Sequence, residues 1–62
     1  MKLSQAFETA LRTRDARTAG RCVEQLRALG YDYARTEAYA QKLCPGVDFD
    51  ALMYEADTME AS

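Results

Sequence analysis

Few residues in this 62-residue chain have the chemistry to transform a ligand. Nucleophilic catalysis needs an activated nucleophile with a base beside it. There is no histidine to act as that base. Ser4 and Ser62 lie near the ends of the sequence, where order is poorest. Cys22 and Cys44 fall on apolar helix faces, where burial raises a thiol's pKa and leaves it inert. They can form a disulfide only if their α-carbons come within about 7 Å, and in a reducing cytosol both remain thiols. Two cysteines without histidine fall short of the four nitrogen or sulfur ligands of a tetrahedral zinc. Asp48 and Asp50 are close enough for acid–base work, yet they stand at a helix start, where carboxylates cap. A calcium loop needs alternating oxygen ligands around a glycine, and Asp48-Phe49-Asp50-Ala51-Leu52 departs from that at once. No glycine-rich phosphate loop is present. No catalytic residue, metal site or cofactor is therefore assigned, and the chain is expected not to be an enzyme.

Binding chemistry is better represented. Tyr54 points away from the apolar stripe of its helix and lies beside Asp50, Glu55 and Asp57. An exposed aromatic with a polar rim is typical of protein contacts. Met53 and Met59 add adaptable apolar area nearby. The alternative is a lone surface tyrosine. A second surface is basic: Arg12, Arg14, Arg17 and Arg21, with Arg35 further along. Guanidinium groups clamp phosphates or carboxylates in a two-pronged way. The alternative here is internal pairing with Asp15 and Glu24. The net charge of −2 counts against nucleic acid, whose binding domains are usually strongly basic. The charge is uneven, at +3 over residues 1–30 and −5 over residues 31–62, which bears on partners rather than on fold.

Helices must position these groups, because apolar residues return every three or four positions nearly throughout. Leu3, Phe7, Ala10 and Leu11 share one face, with Ser4 as the expected N-cap. The pattern restarts at Ala16, Ala19, Val23, Leu26 and Leu29. That slip argues for a break with Asp15 capping a second helix; one bent helix is the alternative. Ala16, Ala19 and Gly20 are small enough to admit another helix closely. Leu29-Gly30-Tyr31 suits a Schellman stop, and Asp32 can cap a third helix. On that helix Tyr33, Thr36, Tyr39, Ala40, Leu43 and Cys44 share a face. Pro45 ends it. Asp48 then caps a fourth helix, with Val47 stapled to Leu52. Its core stripe is Phe49, Leu52, Met53, Ala56 and Met59. Asp57 and Glu60 oppose the dipole at its end, so the last turn is expected to fray unless a basic group meets it.

The expected fold is all-α: one domain over residues 1–62, a compact bundle of four short helices at approximately 4–13, 15–29, 33–44 and 49–59. So short a chain buries only about 60% of its unfolded surface, so association with a partner is a natural extra support. No apolar signal region or run of about 20 apolar residues is present, so the expectation is a cytoplasmic protein away from membranes.

Two stretches resemble known families. Gly30 to Tyr39 resembles the turn and recognition helix of helix-turn-helix proteins, with Thr36 near the helix start and Tyr39 following. The position after the threonine, apolar in those families, is Glu37. That resemblance implies a nucleic-acid-binding regulator using Arg12, Arg14, Arg17, Arg21 and Arg35. Leu26-Arg27-Ala28-Leu29-Gly30-Tyr31 resembles the Met-Gly-Phe-type loop of ubiquitin-associated-like domains, which implies a protein partner at that loop and the following helix. Ala40 and Leu43 come too late for that family's register. The leading expectation is a non-catalytic protein-binding module: an adaptor or inhibitor that docks on a larger protein and can pair as a homodimer.

Overall fold

The computed structural model describes residues 2–61, with side chains up to Met59. Four helices follow one another: α1 (Leu3–Thr13), α2 (Ala16–Ala28), α3 (Tyr33–Leu43) and α4 (Phe49–Ala61). Each lies within two residues of its expected span.

The first break is sharp, and α1 and α2 are separate helices. Arg14 closes α1 in the left-handed region at φ 55° and ψ 39°, and the Asp15 N–H reaches back to the Ala10 carbonyl at 2.9 Å. Asp15 then caps α2. Its carboxylate accepts from the Thr18 N–H at 3.3 Å and from the Thr18 hydroxyl at 2.7 Å. Those bonds, the hydroxyl first, hold the Asp15 carboxyl below its ordinary value of 3.8. A lowered folded pKa means that the cap's stabilisation is present above that value and is lost as the pH falls through the folded one. Melting curves taken from neutral to acidic pH should show a steeper acid limb for the native chain than for Asp15→Asn. Equal limbs would remove Asp15 from the acid response.

Arg14 is the one non-glycine residue with positive φ among the described residues. That conformation costs an ordinary residue roughly 1–2 kcal/mol, against the entropy that a glycine adds to the unfolded chain. Arg14→Gly is expected to raise the melting midpoint by a few degrees, on a scale of about 4–8 °C per kcal/mol for a domain of this size. A lowered midpoint would show that the arginine side chain contributes more than its backbone costs.

The other boundaries follow local chemistry. Gly30, at φ 102°, ends α2. Its N–H bonds the Arg27 carbonyl at 3.0 Å, while the Tyr31 N–H bonds that of Leu26 at 3.1 Å, which is the paired pattern of a Schellman stop. The Asp32 carboxylate accepts from the Arg35 N–H at 2.8 Å, and that of Asp48 from the Ala51 N–H at 3.2 Å. Val47, just before Asp48, packs against the core as a staple residue should. The loop between α3 and α4 has a tie that spacing did not reveal. The Gln41 side chain donates to the Val47 carbonyl at 2.7 Å and accepts from the Gly46 N–H at 3.3 Å.

One expectation about helix ends is corrected. Ser4 is not an N-cap: helix α1 begins at Leu3, and Lys2 occupies the cap position with no side-chain bond. The Lys2 carbonyl already accepts from the Ala6 N–H at 3.0 Å. Leu3 is partly buried against the core, and that burial draws it into the helix. At the other end α4 keeps helical geometry through Ala61 with no basic residue in its last turn.

Phe7 stands at the centre of the core, with no exposed surface. Its ring meets Tyr39 of α3 at 5.9 Å and Phe49 of α4 at 6.4 Å, both edge to face, the arrangement that the ring quadrupoles favour. Leu11, Ala19, Leu26, Ala40 and Leu52 fill in around it. Helix α2 packs chiefly on α1 and α4, while α3 lies across α1 and α4. The α2–α4 approach is close. A β-carbon on Gly20 would stand 3.2 Å from that of Ala56, so a larger residue there would force the helices apart. Among the described residues Thr36 is the one polar side chain fully inside, and its hydroxyl donates to the Asp32 carbonyl at 2.8 Å. Among the described residues no helix is long and apolar enough to cross a membrane.

Candidate functional site: an aromatic and acidic face of the fourth helix

Helix α4 turns Phe49, Leu52 and Ala56 into the core. At about 100° per residue, Asp50, Tyr54 and Asp57 then fall within an arc of about 60° on its outer side. Tyr54 is 75% exposed, the largest value among the big apolar side chains described. The structure thus groups three of the four residues expected to meet a partner. Glu55 is turned the other way. It lines a groove of about 380 Å³ together with Arg12, Arg14, Asp48 and Leu52.

A residue that spacing had assigned to the buried face of α3 takes Glu55's place. Tyr33 is 52% exposed. It is the first residue of α3, so no preceding turn encloses it, and its ring leans over the start of α4, 5.4 Å from the Phe49 ring. Its hydroxyl donates to the Asp50 carboxylate. That bond, then partial burial, then the charges of Asp50, Glu37 and Asp48, push its phenol up to about 12. A raised folded pKa means that the bond's stabilisation is fully present below the ordinary value of 10.0 and is lost as the pH rises towards 12. The gap in melting temperature between the native chain and Tyr33→Phe should hold steady through neutral pH and close in strong alkali. A gap that persists there, or no gap at neutral pH, would dismiss the bond as a contributor.

The five arginines border several features of the surface. Arg12 pairs with Glu8 at 2.8 Å, the one ion pair among the described residues; the alternative pairing with Asp15 and Glu24 is not made within ion-pair distance there, although the charge of Arg17 acts on Asp15. Arg14 shares the large groove with Arg12. Arg17 and Arg21 border a small depression beside Ala56 and Met59. The Arg35 guanidinium lies 5.3 Å above the Tyr31 ring, itself stacked on Tyr39 at 6.1 Å.

Both cysteines are free thiols. Cys22 is buried, and burial pushes its thiol up. Cys44, expected to be buried as well, is only half-buried, because it caps the end of α3 at the rim of the large groove. Among the described residues no three cysteine or carboxylate side chains gather in a way that could hold a metal ion. Comparison with known protein families gives no match, and no curated protein or solved structure matches the chain.

Proposed function

We propose that the chain is a non-catalytic protein-binding module, an adaptor or inhibitor, that lays the outer face of α4 on a basic, partly apolar surface of a larger protein. The observation that carries this reading is Tyr54, exposed and flanked by Asp50 and Asp57 on one arc, with Tyr33 resting on Asp50. Large aromatics with a polar rim supply most of the energy of typical interfaces. Carboxylates on the same face steer a basic partner and repel an acidic one. Leu29 and Met59, 70% and 49% exposed, offer further apolar surface, and pairing with a second copy is a companion reading.

A helix-turn-helix role is the second reading. Arg17 and Arg21, a turn apart on one exposed face of α2, favour it. The slight packing of α2 on α3 weighs against it. Salt separates the two. A contact through Tyr54 survives moderate salt, whereas a phosphate contact weakens steeply with it. Capture of partners from the native cell, repeated with Arg17→Glu/Arg21→Glu, decides between them. Recovered protein that is indifferent to the charge reversal supports the α4 reading. Recovered nucleic acid that the reversal abolishes overturns it.

A further inference from the structure

We infer that the depression between α2, α3 and α4 is a socket for one long cationic side chain of the partner, an arginine or a lysine. This rests on the proposed docking of α4 against a basic surface and names what anchors it. The depression measures about 250 Å³, below the roughly 300–1,000 Å³ of pockets that enclose small molecules, so its size suits a single side chain. Apolar and aromatic residues, Val23, Met53 and Tyr33, line it together with the acidic Glu24 and Asp57. The close Gly20–Ala56 pair lines it too.

Each part of a long cationic side chain has a counterpart there. The methylene stem lies on Met53 and Val23, as such stems do on apolar surface. The charged head meets Glu24 and Asp57, neither of which is in an ion pair among the described residues. Tyr33 lines the same depression, and an aromatic ring beside a cation adds to its attraction. Three further carboxylates, those of Asp50, Glu37 and Asp48, act on the Tyr33 hydroxyl in one sense, so the surroundings favour positive charge. Arg27 also reaches the depression but pairs with neither carboxylate. It competes with the incoming cation and sets the sign of one test. Arginine fits better than lysine, because its planar fork can engage two carboxylates at once.

The experiment is an amide-resolved NMR titration of the whole chain with N-acetyl-arginine amide and, separately, with its neutral citrulline counterpart. The arginine compound should shift the amides of Gly20, Val23, Met53 and Asp57, and citrulline should bind about tenfold more weakly or not at all. Glu24→Gln/Asp57→Asn should weaken the arginine compound by about tenfold, and Arg27→Gln should strengthen it severalfold. Equal shifts from citrulline, shifts spread over all acidic residues, or an Arg27→Gln chain that binds no better would overturn the inference. Arg27→Gln alters an exposed position and keeps the test intact if the double variant misfolds. Partner capture that depends on Tyr54 while the arginine compound misses the depression would sink the socket and leave the docking face standing. The opposite pair of results would sink the docking face.

Discussion

Phe7→Ala is expected to leave the chain largely unfolded near room temperature. Phe7 is wholly enclosed and touches rings from two other helices, so the smaller side chain leaves a void bordered by α3 and α4. Such truncations cost about 3–5 kcal/mol. A domain of this length holds roughly 3–9 kcal/mol in all, at about 0.05–0.15 kcal/mol per residue, so the loss consumes much or all of the margin. Far-ultraviolet circular dichroism should show most of the helical signal gone. Phe7→Leu, closer in volume, should cost under about 2 kcal/mol and keep the signal. A Phe7→Ala chain that melts like the native one would mean that the core does not centre on this ring.

Tyr54→Ala has the opposite profile. The side chain is mostly in solvent, and exposed substitutions away from special features change stability by within about 0.5 kcal/mol. Helical signal and melting midpoint should therefore stay put. Binding should not. An aromatic at the centre of a docking face contributes about 2 kcal/mol or more, equivalent to roughly thirtyfold in affinity. Titration of the captured partner with native and variant chains measures it. An affinity loss below about threefold would demote Tyr54 to an ordinary surface residue.

What the amino-acid order revealed was mostly local. Asp15, Asp32 and Asp48 each cap the helix that follows, and Gly30 ends α2, because those residues act on backbone groups within a few positions. The phase slip after Leu11 located the first break, but nothing about an arginine announces a left-handed backbone, so Arg14's geometry was not legible. Ser4 misled because a local cap competed with the burial of Leu3, and burial won. Tyr33 misled in the reverse sense. Helical spacing put it in line with Thr36 and Ala40, but spacing does not show that α3's first turn overhangs the start of α4. The acidic cluster of α4 was legible as composition. Its division, with Asp50 and Asp57 on one side and Glu55 facing Arg12 and Arg14, depends on which helices flank α4. The close Gly20–Ala56 approach is of the same kind. Small residues signal that a helix can come near, and only the fold says which one.

The proposed docking face on the outer side of α4 is open to a direct test. Photo-crosslinking addresses it most directly, with benzoylphenylalanine in place of Tyr54 in one chain and in place of Gln25, on an exposed face of α2, in another. After irradiation in the native cell, a discrete crosslinked protein should appear from position 54 and not from position 25. Crosslinks from position 25 alone, or to nucleic acid from either, would rule out α4 as the docking face.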